Sequence, residues 1–215
     1  MAAGDLLYNT AQPAHPARVL LPPDDAAAEA LCRYLGRQVF YVHEGSPAVD
    51  ELSRMRSFCL ESVSTSWPAA DQPMRYPSAT ILGGDDVQHT GDSPAPIEDT
   101  FDPFDETVAW YLGEASGTLQ VDFWCDSEAT RQAISAQLAA LFSPGEGRGG
   151  ILLELGPRYL GLGGRFSLLT HGRQDTPDAV WAGERRLRAT VRWEVADVVV
   201  RRAKPLTVQA RVETI

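Results

Sequence analysis

One segment late in the chain alternates without a break. Leu187, Ala189, Val191, Trp193 and Val195 are apolar, and Arg186, Arg188, Thr190, Arg192 and Glu194 between them are polar. A period of two belongs to an extended strand with one buried face and one wet face. A second run repeats the pattern: Leu119, Val121, Phe123 and Cys125 alternate with Gln120, Asp122 and Trp124. Two such strands need a layer over their apolar faces. Directly after the second run, Asp126 or Ser127 is placed to cap a helix that runs to Phe142. Ile134, Leu138, Leu141 and Phe142 fall on one stripe of that helix. The expected core is therefore the strand–helix unit 117–142 packed on the strand 186–196, with Phe123, Leu138 and Trp193 buried together.

Other elements read less sharply. Asp24, Asp25 and Glu29 open a helical pattern where the dipole favours acids, and Gly36 ends it. Residues 38–43 and 76–82 read as short strands. Residues 54–66 are ambiguous between helix and strand. Residues 107–112 and 118–126 read as paired strands joined by a turn at 113–117. Strands are expected at 151–155 and 159–169, with Gly161, Gly163 and Gly164 at a bulge or bend, and a polar loop at 170–183. From Gly83 to Asp105 there is no period, and Pro, Gly and Asp dominate. The expectation is an α+β fold: a mostly antiparallel β-sheet with helices packed on one face, a long acidic loop and extended terminal arms. Residues 1–23 form an N-terminal arm, 24–200 a single α+β domain with 83–106 as an acidic loop insertion, and 201–215 a C-terminal strand or arm.

Charge is unevenly distributed. Residues 1–120 hold 6 basic and 18 acidic side chains, and residues 121–215 hold 13 and 11. Between Arg75 and Arg131 there is no Lys or Arg, while 12 Asp and Glu fall in that gap. Such a stretch repels phosphate backbones, so no sequence-specific nucleic acid partner is expected. No apolar run approaches the roughly 18 residues of a membrane helix, and Met1 to Pro13 has neither the basic nor the apolar region of a signal peptide. Cys32, Cys59 and Cys125 are odd in number and far apart, which fits a reducing compartment and no disulfide framework.

The search for chemistry is mostly negative. The glycines at 161–164 match neither a dinucleotide loop nor a phosphate loop, and there is no HExxH and no GxSxG. His15, His43, His89 and His171 are widely separated, without metal spacing. Carboxylates at Asp99, Asp102, Asp105 and Glu106 lack the spacing and the Gly of a calcium loop. No catalytic residue, metal or cofactor is expected, and the chain reads as a non-enzyme. Two candidate partner surfaces remain. Asp99, Phe101, Asp102, Phe104 and Asp105 combine acids with two apolar anchors. Arg185, Arg186, Arg188 and Arg192 crowd one end and one face of the long strand. Either is open to a solvated role, or the arginines of one copy meet the acids of the next in a head-to-tail contact that closes as a ring.

The stretch Gly117-Thr-Leu-Gln-Val-Asp-Phe-Trp-Cys-Asp-Ser-Glu-Ala-Thr-Arg131, with the helix to Phe142, resembles the strand-then-helix signature of phage tail terminator (tail completion) proteins. The strand at 76–81 and the late strand 188–195 also look like that family, so the resemblance covers roughly residues 76–200. It implies a structural virion protein located at the tail and neck and made in the host cytoplasm. It implies a homo-oligomeric ring, usually a hexamer, that caps the tail tube. Its implied partners are the tail tube protein, the neck or connector proteins and, in a contractile tail, the sheath protein, with DNA passing through the ring. Alternatives are another tail or baseplate component, a bacterial adaptor protein outside phage, and a small enzyme or ligand-binding domain using the Asp-rich loop.

Overall fold

The computed structural model describes residues 16–18, 20–43, 55–67, 75–84, 86–102, 104–143, 149–175 and 185–202. In chain order these form β1 (Pro16–Arg18), α1 (Pro23–Leu35), β2 (Val39–His43), β3 (Met55–Cys59), β4 (Ser62–Ser64), β5 (Ser78–Gly83), β6 (Gln88–Asp102), β7 (Thr107–Cys125), α2 (Glu128–Leu141), β8 (Ile151–Glu154), β9 (Gly163–Arg173) and β10 (Arg185–Arg202). The main sheet runs β4-β5-β7-β10-β9-β8, with β6 added to β7 and β1 to β10. It is antiparallel except for the β4–β5 pair, and it curls as a half-barrel. The hairpin β2–β3 forms a small separate sheet.

The α+β reading holds, and so does the expected core. Leu119, Val121, Phe123 and Cys125 of β7 face the same apolar cluster as Leu187, Ala189, Val191, Trp193 and Val195 of β10. Both helices close over it, α1 through Ala27, Ala30, Leu31 and Leu35 and α2 through Ile134 and Leu138. Phe123, Leu138 and Trp193 are buried in that one cluster. Ser127 is the cap of α2, its hydroxyl accepting from the Thr130 amide at 3.2 Å. Gly36 ends α1 in a right-handed helical conformation, its amide donating back to the Cys32 carbonyl.

Four expectations are corrected. The segment 83–106 is not a loop: residues 88–102 are β6, paired along β7. The ladder slips between Gly91 and Ala95 and again between Ile97 and Asp102, so irregularities twice reset the period of two. Pro94 and Pro96 sit in an edge strand, where a missing donor is tolerated. The proposed turn at 113–117 is uninterrupted strand. Gly113 is there because β6 approaches closely: a Cβ on it would lie 1.8 Å from the Thr90 carbonyl oxygen, and its φ is +143°. Gly117 makes room for the Trp193 ring, which would stand 2.8 Å from a Cβ. The third correction concerns 170–173, expected as loop, which are the end of β9, while the open choice over 54–66 resolves to strands β3 and β4. The fourth concerns residues 159–169: Pro157–Tyr159 is a short 3-10 turn, and β9 begins only at Gly163. Of the expected arms, residues 16–18 are β1 on β10, Pro23 opens α1, and Arg201 and Arg202 complete β10. The remainder, 1–15 and 203–215, lies outside the described residues.

Two predictions test this packing. Phe123→Ala should lower stability by about 3–5 kcal/mol in urea unfolding, the usual cost of an aromatic-sized cavity. The second uses the thiols. Burial, reinforced by the Asp126 carboxylate, pushes the Cys125 thiol from 9.0 up to about 12. The folded state keeps this thiol protonated where the unfolded chain ionises it. Its contribution to stability is therefore intact below about pH 9 and declines as pH rises toward 12. Cys59 is exposed. At pH 8 a thiol reagent should label Cys59 quickly and Cys125 only after unfolding.

Candidate functional site

On the face of the sheet opposite the helices lies a compact charged cluster. Asp122 projects from β7 on the polar side of the alternation and is nevertheless 0 % exposed. The register places it directly opposite Arg188 of β10, and Thr80 of β5 stands on its other side. Arg188 Nε donates to Asp122 Oδ1 at 2.8 Å, and Arg186 Nη2 and Gln120 Nε2 donate to Oδ2 at 2.5 and 2.9 Å. One buried carboxylate thus holds two guanidiniums. The Arg186 guanidinium also stacks against two indoles, 5.0 Å from the Trp124 ring centre and 5.8 Å from that of Trp67. Trp124 Nε1 donates to Thr80 Oγ1 at 3.2 Å.

A second network joins this cluster to α2. Arg131, almost fully buried, donates to Glu128 and to Asp175. Asp175 also accepts from the Arg186 backbone amide. Burial alone would raise the Glu128 carboxyl. Hydrogen bonds from Gln132 and Arg131, with the charges of Arg131 and Arg173, outweigh that and hold it below its ordinary value.

The other candidate surface is the β6–β7 arm. Every residue from Gln88 to Ala95 is exposed, whichever face of the strand it occupies. Val108, Ala109 and Val200 are buried but stand outside the main apolar cluster. The tip is a tight turn in which Asp102 Oδ1 accepts from the Phe104 and Asp105 amides at 2.8 and 3.4 Å. That turn leaves Phe104 95 % exposed. Phe101 and Asp102 are half-buried, and Asp99 and Asp105 exposed. The carboxylates named from sequence therefore sit at the hairpin tip, Asp102 and Asp105, or just before it, Asp99.

The arginines named from sequence divide in two. Arg186 and Arg188 are taken up by Asp122 within the chain. Arg192 is exposed and pairs with Glu194 of its own strand at 2.9 Å, and Arg185 begins β10 opposite Cys125. Sequence reading missed Asp122, Trp67 and Trp124. Asp122 carried a signal, since sliding the two alternations against each other brings an acid opposite the arginines. Trp67 carried none. Of the histidines, His89 Nδ1 lies 2.8 Å from Asp197 Oδ2, His171 is exposed and His43 ends β2, while His15 is outside the described residues. Among the described residues no three His, Cys, Asp or Glu converge as metal ligands do.

No protein-family model matches the chain, and no curated protein matches it.

The Asp122 cluster yields a contrast between substitutions. Asp122→Asn leaves two partly buried guanidiniums facing a neutral amide and should cost about 2–3 kcal/mol in urea unfolding. Arg192→Gln, at an exposed pair on the same face, should change stability by less than about 0.5 kcal/mol.

Proposed function

We propose that the chain is a structural virion protein, a ring-forming tail terminator that caps a phage tail tube and joins it to the neck. In a contractile tail it would also hold the last sheath ring. The observation that carries this reading is the arm: an edge strand exposed at every residue along Gln88–Ala95, running to a tip where Phe104 is 95 % exposed. An assembly protein uses such an extension to reach a neighbour. The resemblance over residues 76–200 points the same way. In this reading the partners are further copies of the chain, the tail tube protein, the neck or connector proteins and, in contractile tails, the sheath protein.

The charge fits the same role. Residues 76–130 carry no Lys or Arg. A ring lined by such a surface lets DNA pass without adhering, because binding would release no counterions.

The decisive experiment images the purified protein, alone and with tail tubes, in negative stain. Rings are expected, together with caps on one end of each tube that halt its elongation. A monomer that leaves tube growth unchanged would overturn the proposal. Binding only at the baseplate end would assign the chain to another tail component.

A further inference from the structure

Two ladder irregularities fall on one row of the sheet. On the β10 side Asp197 pairs with Gly113, and the next residue, Val198, pairs with Tyr111, so Leu112 of β7 has no opposite number. On the β6 side Gly91 pairs with the same Gly113, and the next matched residue is Ala95, again opposite Tyr111. β6 thus advances from 91 to 95 while β7 steps from 113 to 111. An unmatched residue bends a strand and interrupts its pairing. Here both ladders of β7 break at one step. Among the described residues no other strand pair bridges it, because β9 leaves β10 at Val195 and β1 joins β10 only at Val200. Beyond the row the main apolar cluster reaches no further than Val198, with Ile97 packed at its margin. The near side is fastened up to the row itself. Tyr159 Oη donates to the Ala196 carbonyl at 2.9 Å, Thr90 Oγ1 donates to the Glu114 carbonyl at 3.0 Å, and His89 Nδ1 lies 2.8 Å from Asp197 Oδ2.

Two of the three residues on that row are glycines. Gly113 holds a φ of +143°, where side-chain-bearing residues rarely sit. Around Gly91 there is open space: a Cβ there would meet nothing within 4 Å. Packing does not demand a glycine at that position, so what Gly91 supplies is backbone freedom. We infer that the Gly91–Gly113–Asp197 row is a hinge. Residues 95–102 of β6, 107–111 of β7 and 198–202 of β10, with β1, swing about it as one body against the helix-covered half. That body has its own ties. β7 pairs with β6 from Tyr111 to Thr107 and with β10 over the same residues, and β1 pairs at Val200 and Arg201. Thr100 Oγ1 donates to the Ile97 carbonyl and accepts from the Ala109 amide, which stitches the two sides of the hairpin together. The hinge goes beyond the ring-forming reading and needs no neighbour. Only its use, letting the tip find its place on an adjoining subunit, rests on that reading.

Spin-label distance measurements on the full chain test this, in a background with Cys32→Ser and Cys59→Ser; Cys125 is buried and stays. One labelled pair, Asp105→Cys with Arg165→Cys, spans the row, and a second, Ala95→Cys with Asp105→Cys, lies within the arm. Labelled chain is diluted into unlabelled chain, so that only pairs within one molecule are read. The spanning pair should show a distance distribution at least twice as wide as the arm pair. Gly91→Val, which fits the open space and stiffens the backbone, should halve the spanning width or better and leave the arm pair unchanged. Gly91→Ala should move it the same way by less, and serves if the valine variant fails to fold. A spanning distribution as narrow as the arm pair overturns the inference. So does an arm pair as wide as the spanning one, since the arm then frays and does not swing. A spanning width indifferent to both substitutions places the motion elsewhere and equally overturns it. The two readings fail separately. Tube capping by a chain with a narrow spanning distance removes the hinge and keeps the tail terminator. A hinge in a chain that never caps tubes does the reverse.

Discussion

The pairing of β7 with β10 is the interaction on which the rest of the structure depends. It runs from Arg185 opposite Cys125 to Arg202 opposite Thr107, with one slip between Asp197 and Val198. Every other strand of the main sheet attaches to one of these two directly, or through β5 or β9. Both faces of the pair specify its register. On one, Phe123 and Trp193 stand in the core under the helices. On the other, Asp122 bonds Arg186 and Arg188. A slip of one residue would put Asp122 into the apolar cluster and Phe123 into water. The charged cluster therefore acts as a register pin, and its worth is in excluding the wrong pairing more than in net stability, since desolvating such ions offsets much of their attraction.

The same ladder explains why the far end of the sheet stands outside the main core. Over Leu119–Cys125, β7 is flanked by β5 and β10 and covered by helices. Beyond Gly113 its neighbours are β6 and β10, and the larger core cluster stops near Ala115 and Val198. Two or three strands are marginal alone in water, and the buried apolar residues at this end, Val108, Ala109 and Val200, stand apart from the main cluster. The arm is held in shape by continuity with the packed half and by local devices such as the Thr100 hydroxyl, which accepts from the Ala109 amide at 2.9 Å.

What the sequence disclosed follows from whether a pattern stays in phase. β10 and the lower half of β7 keep a strict alternation, so their faces, their shared core and the helix after them were legible. β6 was not, because the ladder irregularities break its period and its prolines read as loop until one knows that it lies at an edge. The stretch 113–117 read as a turn because Gly is the residue of turns, and only the ladder shows it serving the close approach of Thr90 and Trp193. For the candidate surfaces, the acids and phenylalanines at the tip were visible as a cluster. The fate of the arginines was hidden, because an Arg on a wet strand face looks the same whether it meets solvent, a partner or a carboxylate across the ladder.

That last point changes the physics expected of an intermolecular contact. Chains whose halves differ in charge invite an interface of salt bridges, acidic arm to basic strand. Here Arg186 and Arg188 already share Asp122, and Arg192 is held by Glu194, so much of the positive charge on that face is compensated before any partner arrives. What remains for the arm is exposed ion pairing worth on the order of 0–1 kcal/mol per pair. Burying one phenyl side chain is worth about 1.5–3 kcal/mol. In the proposed assembly the acids around Phe104 would act chiefly by repelling other acidic arms. A contact built this way should depend weakly on salt and strongly on the single aromatic residue at its centre.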